Sequence, residues 1–244
     1  LVPLVDARLF ASASEHRATL NLGGIANLTI LPAAAAPEGV LGFDSGPANM
    51  LVDAYCMLRS GGNEHYDRDG ARALRGRVDE QLLTRWLAHP YFASPPPKST
   101  GREQFGAAFL TAERQALDIL AFDDAIATLT ALSVRTIAAA LLRVAPRTQR
   151  MIASGGGVHN GALMSGLRAA LPDITLETSS AYGIDPDAKE AIAFALLGYE
   201  ALRGRALPLA SVTGARGARV LGAIAPVELS ALIGRLQAEE GAND

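Results

Sequence analysis

A chain of 244 residues, 49% hydrophobic and 19% charged with a mean hydropathy of +0.18, has the apolar content to bury a large core, which excludes global disorder. Its formal net charge of −3 leaves no basic surplus for neutralising nucleic-acid phosphates, and its one cysteine, Cys56, cannot form an internal disulfide. The four histidines, His16, His65, His89 and His159, lack zinc-ligand spacing, and no uninterrupted apolar run reaches the ~18 residues of a bilayer span.

The chain opens on Leu1-Val2-Pro3, with charged Asp6 and Arg8 close behind, and reads as a segment already in mid-protein, without a signal peptide. Residues 19–31 read as two strands around Gly23-Gly24, because Leu20 and Leu22, then Leu28 and Ile30, alternate with polar neighbours. A third strand at 40–43 runs into Asp44-Ser45-Gly46-Pro47. A helix is then expected from Pro47, with Met50, Leu51, Ala54 and Leu58 on its apolar face. Residues 61–76 are polar and read as a loop; 79–88 reads as a helix with Leu82, Leu83 and Trp86 inward.

After the rigid Pro95-Pro96-Pro97 stretch a short helix is expected at 103–110. The longest helix follows at 125–143, capped by Asp123-Asp124. A strand at 150–153 ends in Ser154-Gly155-Gly156-Gly157, and Asn160 caps the next helix. A strand at 174–176 and a helix opened by Asp185-Pro186-Asp187, burying Ala191, Ile192, Ala195 and Leu196, come next. A final strand at 220–224 and helix at 226–238 complete the pattern. Strands that alternate with helices and end in glycine turns describe an α/β layered domain with ligand sites at strand ends.

Three turns carry candidate chemistry. At Asn21-Leu22-Gly23-Gly24-Ile25-Ala26-Asn27, two glycines would let backbone amides approach an anion, or would simply make a hairpin. At 42–49, a strand delivers Asp44 to a helix start whose free N–H groups favour anions. Asp44 would then bind a sugar hydroxyl, orient a water or metal, or cap the helix, a task suited better to Ser45. At 154–160, three glycines in a row suggest that a ligand such as a purine nucleoside approaches the backbone, the other reading being a structural turn. Lys98 and Arg102, beside Ser99 and Thr100, could hold a carboxylate or phosphate, or lie in a solvated loop. Glu190, next to apolar Ala191, Ile192 and Ala193, is expected to be paired or functional. No Gly-x-x-x-x-Gly-Lys-Ser/Thr loop occurs.

These stretches together resemble the anhydro-N-acetylmuramic acid kinase family of the actin/hexokinase-like ATPases. The matching segments are NLGGIANLT (21–29), GFDSGPANMLVDA (42–54), YDRDG (66–70), PPKSTGREQF (96–105), ASGGGVHNGALM (153–164), DAKEAIAFALLG (187–198) and VTGARGARVLGAI (212–224). The resemblance implies a ribonuclease-H-like, actin/hexokinase-type fold, mainly the C-terminal lobe with a helical insertion. Residues 1–55 would start that lobe, 56–122 would form the insertion, and 123–244 the remainder.

It further implies a cytoplasmic enzyme of peptidoglycan recycling that uses ATP and Mg²⁺ on an amino sugar, works as a homodimer, and has neither a nucleic-acid nor a membrane partner. Gly23, Gly24 and Asn27 would lie on the phosphate side; Gly155, Gly156, Gly157 and Asn160 would lie on the adenosine side. Asp44, Ser45, Glu190, Lys98 and Arg102 would face the sugar, and no residue would be a standing metal ligand. The family's first phosphate loop and its general-base aspartate have no counterpart in this sequence and are expected before Leu1, so residues 1–244 alone are expected to be inactive. Another sugar or carboxylate kinase of the same fold class, or a non-catalytic actin-like nucleotide-binding protein, are the alternatives.

Overall fold

The computed structural model describes residues 2–34, 39–207, 216–222, 228, 230, 231 and 233–235. A five-stranded sheet sits at the centre, made of β1 (Arg17–Leu22), β2 (Ile25–Leu31), β3 (Leu41–Pro47), β4 (Arg150–Ser154) and β5 (Thr175–Thr178). Its order is β3-β2-β1-β4-β5. β2 runs antiparallel to both its neighbours, and β4 and β5 run parallel to β1. A meander followed by parallel crossovers in this order is the ribonuclease-H-like arrangement, the unit from which actin/hexokinase-type lobes are built.

The expected two-residue alternation places Ala18, Leu20, Leu22, Ala26, Leu28, Phe43, Met151 and Ala153 on one face. That face is covered by α8 (Phe122–Val144) and α9 (Gly161–Ala170). The opposite face presents Leu31 and Ile152 to Phe10 of α1 (Val2–Phe10), and α10 (Lys189–Leu202) lies against α1. The helix at the chain start was not legible: Val2, Val5 and Leu9 pack partly on α10, so its apolar spacing makes sense only against that partner.

α2 (Met50–Arg59), α3 (Ala71–Arg75), α4 (Glu80–Leu87), α5 (Pro90–Ala93), α6 (Arg102–Phe105) and α7 (Ala107–Ile119) lie between β3 and α8. Leu51, Tyr55, Leu83, Trp86, Phe105 and Leu117 make a second core there, which shares α8 through Ile126, Leu129 and Leu132. By length and composition α8 could cross a bilayer, but 78% of its most apolar window is buried between the two cores.

Several sequence boundaries shift. Residues 44–47 remain in β3, and α2 begins at Met50 instead of Pro47, because Pro47 is still paired with Ile25. The polar 61–76 segment contains α3, held by Asp67, whose carboxylate accepts the Arg72 and Ala73 amides at 2.8 and 3.0 Å. The helix expected at 103–110 is two helices, α6 and α7, reaching Ile119. Asp123 and Asp124 lie inside the first turn of α8 and do not cap it: Asp123 pairs with Arg72 and Arg75, and Asp124 accepts the Arg77 amide. In α10 the buried stripe is Lys189, Ala193, Leu197 and Glu200, one step out of phase with the expected one. The strand expected at 220–224 is not formed over 220–222, and its last two residues lie outside the described ones. Within the helix expected at 226–238, residues 230, 231 and 233–235 are helical, and the rest, apart from the non-helical 228, lie outside.

Candidate functional site

The carbonyls of the β1–β2 hairpin turn point at the start of α2. Gly24 O accepts the Ala48 and Met50 amides at 2.9 and 3.1 Å, and Gly23 O accepts the Asn49 amide at 3.1 Å. These are the N–H groups that a helix start would otherwise offer to an anion. The hairpin thus takes the Asn49 and Met50 amides of this helix end. A trans peptide sets its N–H opposite its C=O, so the Gly24 amide points away from α2.

Asn49 continues the seam. Its side-chain amide donates to Gly23 O at 3.0 Å and Leu22 O at 3.4 Å. The same amide lies against the third turn, where a Cβ on Gly157 would come within 2.8 Å of Asn49 Nδ2 and 2.6 Å of Leu22 Cβ. Gly155 has φ +83° and lies under Asn21 and Leu22, with its amide donating to Pro186 O at 3.0 Å. The first and third glycine turns are thus one packed unit with Asn49 between them.

Within that unit the glycines divide by what the fold requires. Gly155 and Gly157 are demanded by a left-handed φ and by close packing. Gly23, Gly24 and Gly156 are not: none has a left-handed φ, and an added Cβ would meet nothing closer than 3.4 Å. Glycine is nevertheless retained there despite its backbone-entropy cost of up to ~1 kcal/mol relative to alanine. Gly24 and Gly156 each line a hollow, of about 930 and 480 Å³, and Asp53 lines both. Arg102, Met50 and Gly62 share the Gly24 hollow; Asn49, Asp67, Asp69, His159 and Asn160 share the Gly156 hollow. These volumes suit a small-molecule ligand.

Asp53 is the charged group at the junction of the two hollows. Burial, with the neighbouring Asp67 adding repulsion, pushes its carboxyl up to about 6. Sequence reading missed both Asn49 and Asp53. Their i, i+4 spacing in ANMLVDA was the available signal, since it places them on one side of α2.

The second turn forms a separate polar cluster. Asp44 Oδ1 accepts Asn27 Nδ2 at 2.8 Å, and Oδ2 accepts the Thr100 amide at 3.0 Å. The Asp44 amide donates to Lys98 O at 3.1 Å and its carbonyl accepts the Tyr91 hydroxyl at 2.8 Å. Asn27 therefore stands with Asp44 and not at the glycine turn. Lys98 Nζ donates to Tyr91 O at 2.9 Å and lies 4.4 Å from the Tyr91 ring centroid, which makes it a support for this loop. Burial, with Arg143 adding to it, lowers the Lys98 pKa from its usual value. Ser45 is buried and donates to Ala26 O at 3.2 Å.

Asn160 caps α9 as expected, its Oδ1 accepting the Leu163 amide at 3.0 Å. Glu190, expected to be paired or functional beside a buried face, lies off that face. It is exposed in the first turn of α10, and the neighbouring Lys189 takes the inward position.

The sequence matches the family model described as anhydro-N-acetylmuramic acid kinase over residues 1–227. The chain belongs to that family. It is 48% identical over 226 residues to the anhydro-N-acetylmuramic acid kinase of Xanthomonas campestris pv. campestris (strain 8004), covering 93% of this chain and 58% of that relative. It is 49% identical over 228 residues to the Xanthomonas axonopodis pv. citri (strain 306) kinase, covering 93% and 59%. The chain therefore spans somewhat under two thirds of the length of these relatives.

Among solved structures it is similar to an activator of 2-hydroxyisocaproyl-CoA dehydratase from Clostridium difficile with bound ADPNP. The TM-score is 0.47 at 12% identity, covering 82% of this chain and 64% of that one. The fold assignment rests on the strand order, which is independent of that modest likeness.

Proposed function

We propose that the protein transfers the γ-phosphoryl group of ATP to 1,6-anhydro-N-acetylmuramic acid with hydrolytic opening of the anhydro ring, in peptidoglycan recycling in the cytoplasm. Water would add to the anomeric carbon as the bond from that carbon to O6 breaks. O6 would take the γ-phosphoryl group as its bond to the bridging oxygen of ADP breaks, giving N-acetylmuramic acid 6-phosphate. Chemistry of this kind depends mainly on positioning and charge stabilisation. The observation that carries the reading is the pair of glycines not required by the fold, Gly24 and Gly156, each facing a hollow bordered by Asp53.

In this reading Gly23 and Gly24 approach the phosphates with Arg102 beside them, and Gly155, Gly156, Gly157 and Asn160 receive the nucleoside. Asp44, positioned by Asn27 and Thr100, serves the sugar side. Among the described residues no group of three or more His, Cys, Asp or Glu side chains could hold a metal ion. Mg²⁺ arrives largely on nucleotide phosphates and asks the protein for one or two carboxylates; Asp53, which borders both hollows, would be one, with Asp67 and Asp69 on the Gly156 side. Bound there, Mg²⁺ would supply charge neutralisation of the phosphates. The general base is assigned to none of residues 1–244, and a homodimer is the expected assembly.

The test is a substrate panel on the complete protein with ATP and Mg²⁺, read by mass spectrometry. Phosphorylation and ring opening of the anhydro-sugar, with the intact-ring sugars left untouched, is the expected result. Transfer to a different sugar, or ATP hydrolysis without transfer, would overturn the assignment.

A further inference from the structure

On the sheet face opposite α8, a charged pair is buried outside both hollows. Asp6 of α1 and Lys189 of α10 are 1% and 3% exposed, with Lys189 Nζ 2.9 Å from Asp6 Oδ1. The contact is an ion pair off the hydrogen-bonding direction, since neither atom has a directed partner. Asp6 Oδ2 accepts two hydroxyls, Thr19 Oγ1 of β1 at 2.6 Å and Thr29 Oγ1 of β2 at 2.9 Å. One carboxylate thus fastens the first residue of α10 to the two central strands. Burying such a pair is costly, and removing one partner strands the other in a low dielectric, so the pair makes poor sense as a general stabiliser.

What the pair holds is informative. Lys189 is preceded by a tight turn in which Ala188 N donates to Asp185 O and Asp187 N to Asp185 Oδ1. From that turn Pro186 O accepts the Gly155 amide at 3.0 Å, and Asp187 Oδ2 lies 3.0 Å from His159 Nε2. Both ends of the glycine-rich segment 155–159 are therefore tied to residues 186 and 187, two or three positions from Lys189.

We infer that Asp6 and Lys189 are positioning residues for the nucleotide: their buried contact fixes the 185–189 segment, whose Pro186 carbonyl and Asp187 carboxylate set the Gly155–His159 turn. The role rests on the nucleotide reading above for its purpose, but the mechanical link does not depend on it.

Two readouts on the complete protein separate these. The Asp6→Leu/Lys189→Met double variant replaces the pair by apolar groups and leaves no stranded charge; the Thr19 and Thr29 hydroxyls lose their acceptor, so circular dichroism checks its fold first. The milder Thr29→Val change only loosens Asp6. Amide exchange in a peptide covering 153–160 is expected to speed up about tenfold in the double variant and about two- to threefold in Thr29→Val, with a peptide covering 126–132 in the second core unchanged. ATP affinity by calorimetry is expected to fall about tenfold in the double variant. Unchanged exchange at 153–160, or exchange that rises equally at 126–132, would show the pair to be a plain core element and end the proposal. An accelerated turn with unchanged ATP affinity overturns its nucleotide role. If the wild-type protein binds no ATP, the kinase reading fails, while the exchange comparison still decides the link.

Discussion

The side-chain amide of Asn49 donates to the Gly23 carbonyl at 3.0 Å, which joins the first residue before α2 to the hairpin turn it faces. It also reaches Leu22 O and lies beside Gly157. Removing it takes a side-chain donor from both carbonyls, leaving Gly23 O with the Asn49 backbone amide, and opens a gap between the two glycine turns. Asn49→Ala is expected to cost about 1–2 kcal/mol in urea unfolding. In the complete protein it should also weaken ATP binding about tenfold, which titration calorimetry would read; a stability loss with intact binding would separate the seam from the site.

The glycine triplet offers a paired comparison. An added Cβ at Gly157 collides with Leu22 and Asn49, so Gly157→Ala should destabilise by about 1–3 kcal/mol. At Gly156 nothing lies within 4 Å, so Gly156→Ala should leave stability unchanged within about 0.5 kcal/mol. If the free space is reserved for a nucleotide, Gly156→Ala nevertheless weakens ATP binding. Thermal unfolding and calorimetry on the two variants check both halves of the statement.

Asp53 predicts a pH signature. Its carboxyl is pushed up to about 6 in the folded chain against an ordinary 3.8, with burial as the main cause and Asp67 second. Between those values the folded state keeps a proton that the unfolded state has released. This group's contribution to stability therefore falls as pH rises through that window and is level above it. Asp53→Asn should be more stable than wild type at pH 7.5 by on the order of 1 kcal/mol, discounted for partial exposure, and no more stable at pH 3.5. Denaturant titrations at the two pH values test it.

Asp44 should act on one substrate only. Its two oxygens hold Asn27 and the Thr100 amide, far from Asp53 in the hydrogen-bond pattern. Asp44→Ala frees the 98–100 segment, so the KM for the sugar should rise about tenfold or more while the ATP Kd stays within about twofold. Steady-state kinetics with each substrate varied in turn would show equal effects on both if Asp44 instead supports the whole cleft.

What the sequence determined by itself was local and periodic. The 2-residue alternation of Leu20, Leu22, Leu28 and Ile30 set the hairpin. The spacing of Ile126, Leu129, Leu132, Ile137 and Leu141 set the long helix, and Asn160 set the start of α9. The glycine turns and the PKSTGRE and FDSGP segments identified the family. What only the tertiary structure decided were pairings between distant segments. The phase of α10 follows from Asp6, 183 positions before Lys189 in the chain, whose charge draws that lysine inward and leaves Glu190 in solvent. The position of α1 depends on α10, and the role of Asn49 depends on two turns more than 100 residues apart. Periodicity records which face of a segment is apolar; it does not record which partner meets that face, and a buried charge takes its place from its partner.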